Sequence, residues 1–358
     1  MSTTDAAAEA RPDENALVLP AAWLRRLHPR RDRPHAWPAA RPDRKAAETA
    51  RAMLAEYRPQ VEEVLALPGT PPAVAEAGRA HLRGEPDPVG AAAVALVAAP
   101  LGQVAYTRQD PFMDQWAEEH GVAFAASAYV ARAGLWAPFG VVGMERRWEG
   151  VRERRPEENW SGGWAREDGA RRLRALLATA QDEVYAEAAE GLARHRGTLL
   201  QKALASYLMP DRRGWFADLL ADPEATWAGV YPGDRWLLHC AVADRAEADA
   251  LELVLDFQSR SPGVITSLVD GIGPAALDLL TDGLDQPHLD ADTSRALLDA
   301  LAVLPVDAAF QALLDRLDRK YAEAAVLAAA RRFPARALRL LAAAAGDRPA
   351  AADLLAVH

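Results

Sequence analysis

Hydrophobic and polar positions follow a helical period along most of the chain. From Arg44 onward, Leu, Val, Ala and aromatic residues recur three and four positions apart, which places them on one face of a helix. Arg44 to Leu67 stops at Pro68-Gly69, and Pro71 to Arg83 stops at Gly84. Asp87-Pro88 sets an N-cap and a proline at the first helical position, opening a helix to about Ala99. Asp110-Pro111 repeats that device, PFMDQWAEEH stops at Gly121, and Ala123 to Ala133 stops at Gly134. Further helices are predicted over Ala170–Ala178, Asp182–Arg194, Thr198–Leu208, Asp211–Leu220, Asp234–Ala243 and Ala246–Gln258, with Ser261-Pro262 starting another. Helices of about 10–15 residues joined by tight turns predict stacked helical hairpins.

Two segments depart from this pattern. Residues 1–43 carry Pro12, Pro20, Pro29, Pro34, Pro38 and Pro42, too many for a long helix, and predict an extended arm. Within it Ala16–Leu27 can dock through Leu17, Leu19, Trp23 and Leu24. Residues 134–168 are rich in Gly and Trp and too long for an ordinary connection. They predict an ordered aromatic loop, packed in part through Trp136, Phe139, Trp148, Trp160 and Trp164.

The last third repeats. PAALDLLTDGL from Pro274, DAAFQALLDRL from Asp307 and PARALRLLAAA from Pro334 superpose Leu277, Phe310 and Ala337, then Leu280, Leu313 and Leu340. ADALELVLDFQ from Ala248 fits one step earlier, and Thr293–Leu304 and Ala322–Phe333 supply partner helices. The predicted fold is all-α: an α-solenoid of short, irregular HEAT/armadillo-like hairpins, each burying one apolar stripe against its neighbours. The domain reading is a 1–43 arm, 44–133 N-terminal hairpins, the 134–168 loop, and 169–358 HEAT-like repeats. The last helix ends at His358 without a polar capping repeat, so the array reads as cut short.

Composition narrows the function classes. One cysteine, Cys240, excludes a disulfide scaffold and a Cys-based zinc site. The sequence shows no run of about 20 uncharged apolar residues, which argues against a membrane span. The N-terminus lacks a basic stretch followed by an apolar run, so the reading is cytoplasmic. About 80 alanines, 38 arginines and three lysines indicate a coding bias that discounts arginine richness as a signal.

The net charge of −10 is unevenly laid out. Between Asp244 and Asp318 stand fifteen acids against four arginines, whereas the arm and the tail after Arg319 are basic. On aligned repeats such acids form a ridge. Candidate partner contacts are therefore Asp278, Asp282, Asp285, Asp315 and Asp318 on the ridge, Arg25, Arg26, Arg30 and Arg31 in the arm, and Trp148, Trp160 and Trp164 in the loop.

No pattern marks catalysis. Gly271, Gly273 and Ala276 outline a dinucleotide fingerprint, but Pro274 and the absence of strand patterns read as a helix–helix turn. His239-Cys240 reads as a core pair, since adjacent helical residues diverge. Asp114 and Glu118 share a helix face with His120 nearby, and the pattern does not read as a metal site. No catalytic, cofactor or metal residue is expected.

LPAAWLRRLHPRRDR, PDPVGAAAVALVAAP, MDQWAEEHGVAFAASAYV and AVLAAARRFPARALRLLAAAA resemble the N-terminal helical region of large bacterial molybdate-metabolism-regulator-like proteins. Those proteins carry a domain of unknown function further on. The resemblance runs from about Leu17 to the end. It implies a HEAT-like scaffold, no established catalytic residues, and a missing C-terminal domain.

The leading expectation is a non-catalytic, possibly regulatory scaffold that binds a protein partner or the rest of a larger protein. The alternative is an enzyme or ligand-binding domain with its site under the 134–168 loop, where Arg146-Arg147 and Arg154-Arg155 could hold an anion. A weaker alternative is a nucleic-acid-linked regulator using the basic arm; the acidic whole and the lack of a reading helix stand against nucleic acid.

Overall fold

A computed structural model describes residues 13–33, 35, 37–101, 111–142, 145–155, 158, 167–222, 225, 232–257 and 259–358. The chain is mostly helical and divides into two compact units, His28–Leu253 and Met1–Leu27 with Val254–His358. These boundaries differ from those drawn on the sequence: the arm is split between the two units.

The first unit holds α1 (Arg44–Leu65), α2 (Pro72–Leu82), α3 (Pro88–Leu101), α4 (Pro111–His120) and α5 (Val122–Ala133). Then come four short strands, β1 (Leu135–Trp136), β2 (Phe139–Val142), β3 (Glu145–Trp148) and β4 (Arg152–Glu153). α6 (Glu167–Ala178), α7 (Asp182–Ala193), α8 (Leu199–Leu208), α9 (Arg213–Leu220), α10 (Trp236–Ala241) and α11 (Arg245–Ala250) complete it. Local chemistry sets these starts. The Asp43 side chain accepts from the Lys45 and Ala46 amides, and Thr198 and Gln201 form a reciprocal capping box on α8. α5 is buried nearly all round, from Ala123 to Ala133, and packs against α3, α4, α6, α7 and α8. Its small residues allow that: a Cβ on Gly191 of α7 would meet Ser127 Oγ at 2.1 Å.

The second unit holds α12 (Pro262–Ile272), α13 (Leu277–Leu284), α14 (Ala291–Leu301), α15 (Asp307–Leu314), α16 (Ala322–Arg332), α17 (Pro334–Ala344) and α18 (Pro349–Val357). The repeated segments become α13, α15 and α17, with Leu280, Phe310, Leu313 and Ala337 buried. Helix α13 packs on α14 and α15, α14 on α15 and α16, α15 on α16 and α17, and α16 on α17. The G-x-G segment is the turn between α12 and α13, with Gly273 at φ 56°, and Asp290 caps α14.

Several expectations need correction. The helix predicted over Ala246–Gln258 ends at Ala250, so the earliest repeat is not a helix of that length. Glu252 takes φ 51°, and the Leu253 amide donates to the Ala248 carbonyl, a left-handed helix stop. The loop contains two antiparallel strand pairs, β1 with β4 and β2 with β3. One helical stretch, Pro262–Leu284, is long and apolar enough to cross a membrane by length and composition, but 72% of its apolar window is buried within the protein.

The described part of the arm is not free-standing. Trp23 and Leu27 are buried in the second unit, and the Arg336 guanidinium donates to the Glu14 carbonyl at 2.8 Å while the Glu14 carboxylate accepts from the Ala335 and Arg336 amides. His28, Pro29 and Arg30 are buried in the first unit.

Candidate functional site

The aromatic loop is clamped at its base. A Cβ at Gly69, in the α1–α2 turn, would lie 1.9 Å from the Glu149 carbonyl oxygen; one at Gly150 would lie 2.7 Å from Gly69 C and from Thr70 Oγ1. Gly150 also sits at φ 113°, where only glycine is unstrained. The Val151 amide donates to Thr70 Oγ1 at 2.9 Å, and that hydroxyl donates to the Val64 carbonyl at 3.0 Å. The β1–β4 pair continues into a hydrogen bond that the Arg154 backbone N–H donates to the Gly134 carbonyl at 2.8 Å. Two ends of the loop are thereby fixed beside α2, α3, α5 and α8.

Between them lies a cleft of about 590 Å³ in the first unit. Val74, Val89 and Leu135 give it an apolar wall; Asp87, Glu153, Arg154, His195, Thr198 and Gln201 add polar groups. Most of these already have partners. Asp87 accepts from the Gly90 amide at 2.7 Å. Gln201 accepts from the Gly197 and Thr198 amides, both at 3.1 Å, and donates to the Val130 carbonyl at 3.2 Å. Gly134 makes room for that amide, since a Cβ there would lie 2.3 Å from Gln201 Nε2. Burial pulls the His195 pKa below its ordinary value, favouring the neutral ring.

Arg154 differs. Its residue is only 8% exposed, and its guanidinium lies 4.9 Å over the Trp136 ring. Nη1 makes one long bond, 3.3 Å, to the Glu158 carbonyl; Nε and Nη2 make none. The Glu158 carboxylate is taken instead by a bidentate pair with Arg152, at 2.5 and 2.8 Å, which pulls its pKa down to about 2. Burial pushes the Arg154 pKa below its ordinary value, with Asp234 and Glu158 acting in the opposite direction. A buried guanidinium with unused donors is costly.

Arm arginines expected to face a partner are engaged within the chain. Arg30 is buried and donates to the Cys240 and Val242 carbonyls at 3.0 and 2.6 Å, capping the end of α10; it is not a surface contact. Arg31 caps the end of α6 through the Ala180 carbonyl at 2.7 Å, pairs with Asp182, and stacks on Tyr185. Arg26 lies over Trp23, and Arg25 is exposed at the end of a single 3-10 turn.

Three acids of the acidic stretch are likewise met by arginines 29–34 residues further on. Asp285 pairs with Arg316 and Arg319 at 2.5 and 2.7 Å, Asp307 with Arg336 and Arg339 at 2.9 and 2.7 Å, and Asp315 with Arg348 at 2.7 Å. Arg316 holds the Asp285 carboxyl below the usual range. Asp285 and Asp315 are therefore inter-helix ties, while Asp278, Asp282 and Asp318 remain exposed. Trp148 is half-buried against Phe139, with ring centroids 5.0 Å apart. Trp160 and Trp164 lie outside the described residues.

One cluster escaped the sequence reading. His28 Nδ1 lies 2.6 Å from Tyr207 Oη and Nε2 3.3 Å from Glu167 Oε1. The fully buried Arg174 donates to the Pro29, Tyr207 and Cys240 carbonyls and stacks on Tyr207. These contacts fasten residues 28–30 to α6, α8 and α10. The only advance signal was RRLRALLA in α6, where Arg174 shares an apolar face with Leu173 and Leu177. His239 is buried with Nδ1 3.1 Å from the Arg235 carbonyl, and among the described residues no three His, Cys, Asp or Glu side chains could hold a metal ion. Asp114 is buried and pairs with Arg172 while accepting from the Asp43 amide at 2.8 Å.

Compared with known families, the chain matches the family model described as the YehI second domain over residues 45–258. No curated protein and no solved structure matches it.

Proposed function

The chain belongs to the YehI second-domain family, and from that premise we propose that it is a non-catalytic helical binding module whose recognition site is the cleft beneath the aromatic loop. The observation that carries this is the cleft itself. It has the volume of a ligand site, an apolar wall, and polar groups converging from several elements. Its one hydroxyl among the described lining residues, Thr198 Oγ1, accepts the Gln201 amide as a helix cap, and His195 is held toward neutrality by burial. Among the described lining residues, binding groups stand without a paired nucleophile and base.

The wider reading is a cytoplasmic interaction scaffold serving a protein partner or a larger polypeptide. Support comes from the stepwise packing of α13 to α17, which fits HEAT-like hairpins stacked in register, and from ion pairs that recur 29–34 residues apart. The kinship to molybdate-metabolism-regulator-like proteins belongs to this proposal as well.

A fragment screen followed by methyl NMR tests it. Shifts should concentrate on Val74, Val89 and Leu135 and vanish in Ala73→Trp, which fills the cleft from an exposed position on α2. A screen in which no fragment moves those methyls overturns the reading.

A further inference from the structure

We propose that the groove between α16 and α18, in the second unit, docks a basic amphipathic helix of a partner protein. The inference does not depend on the cleft of the first unit being a site, and each can fail without the other.

The groove comes from the packing of the array. α13 packs on α15, α15 on α17, and α14 on α16, so each of these helices meets the one two places on. α18 packs on α17, and between α18 and α16 lies an opening of about 200 Å³. Leu317, Leu327, Leu354 and Val357 line it. Leu354 is buried, Leu317 and Leu327 are half-buried, and Val357 is exposed. That volume is below the roughly 300 Å³ at which small-molecule sites begin, and it suits side chains reaching in from a larger partner.

Backbone chemistry selects the partner's conformation. Both walls are helices, whose interior amides and carbonyls are already paired within the helix, so an extended peptide finds no main-chain partners there. A helix satisfies its own backbone and brings an apolar face to Leu317, Leu327 and Leu354.

Charge selects the partner's polar flank. Glu323 on α16 and Asp353 on α18 both line the groove, and both are exposed. Among the described residues neither carboxylate makes a hydrogen bond or an ion pair, and no cationic side chain lines the groove. This sets them apart from Asp285, Asp307 and Asp315, which arginines of the same unit neutralise. Two unpaired carboxylates beside an apolar strip match a helix that carries Arg or Lys along its apolar face. The aliphatic stems of those residues extend the apolar contact while their heads reach the acids.

Three end-capped peptides of about four helical turns test this. The first carries leucines at i, i+4, i+7 and i+11 flanked by arginines. The second has glutamates for the arginines, and the third has serines for the leucines. Fluorescence anisotropy on the full chain should show the first binding about tenfold or more tighter than either of the others. Glu323→Lys with Asp353→Lys should weaken it about fivefold or more. Ala350→Trp, which fills the groove from an exposed position on α18, should abolish it. Asp282→Lys with Asp292→Lys, an equal charge change at exposed positions of the same unit, should leave it within about twofold.

Equal weakening by the two double variants reduces the effect to net charge and overturns the groove as the seat. Binding that survives Ala350→Trp overturns it as well, and so does the absence of any preference for the first peptide. A dimer seen by light scattering that Ala350→Trp dissolves gives the groove to a second copy and overturns the foreign helix. The peptide comparison on the unaltered chain decides the matter even if a variant fails to fold.

Discussion

At the residue scale, His81 shows how burial becomes a pH response. Its ring is buried on α2, 6.0 Å from His120 and 6.3 Å from Phe124, and Nδ1 has no hydrogen-bond partner. Desolvation first, and then the nearby His120, pull its pKa from 6.5 down to about 4. The unfolded chain therefore binds the extra proton between those values. The stability contributed by keeping His81 neutral is complete above about pH 6.5 and is lost as pH falls toward 4. The loss amounts to about 3 kcal/mol. Urea melts at pH 4.5 and pH 7 should diverge less for His81→Phe than for the unaltered chain. An equal divergence would mean that other buried groups carry the acid sensitivity. Such residues are hard to foresee: His28, Arg30, Arg174 and Arg154 look in sequence like surface side chains, and only the fold reveals the carbonyls and rings that receive them.

At the element scale, helix starts were the most legible feature. Ser261 and Asp87, each before a proline, read as caps and accept from amides of the turn they open; Asp43, Thr198, Asp244 and Asp290 do the same without being read as caps. Stops were less legible. LELVLDF after α11 alternates buried Leu251, Leu253 and Leu255 with exposed Glu252 and Val254, a period of two that the helical reading passed over. The strand pairs inside the aromatic loop were missed because their members are two to four residues long, too short to show a period. Their seating depends on two glycines. Gly150→Ala should cost about 1–3 kcal/mol from positive φ and the clash with Gly69 and Thr70. Hydrogen exchange at Val151 and Arg154 should accelerate with it; unchanged exchange would show that the loop is held from elsewhere. The cleft was hardly visible in advance: the loop contributes only its two ends, Gly134-Leu135 and Glu153-Arg154, while α2, α3, α5 and α8 supply residues from distant parts of the chain.

At the scale of the molecule, the charge layout changes meaning. Three of the fifteen acids, Asp285, Asp307 and Asp315, pair with arginines about 30 residues further on, so they tie neighbouring helices rather than waiting for a partner. The family match ends at residue 258, close to the unit boundary at Leu253, so the matched domain corresponds to the unit carrying the cleft. Because residues 13–27 belong to the other unit, deleting residues 1–27 should weaken that one selectively. Hydrogen exchange followed by mass spectrometry should show loss of protection in α17, whose first amides bond to Glu14, with α4 and α5 unchanged. Uniform loss across both units would contradict the division.

The bond between Glu14 and Arg336 spans 322 positions, and this orders events during synthesis. At typical ribosomal rates the first segment waits on the order of tens of seconds for its partner. During that wait the intervening unit has all of its own chain and can close. The segment around Glu14 therefore gains its α17 partners long after it is made. A ribosome stalled before Ala335 would leave the Glu14 carboxylate without the two α17 amides that bind it, and that is the contact such a nascent chain would lack.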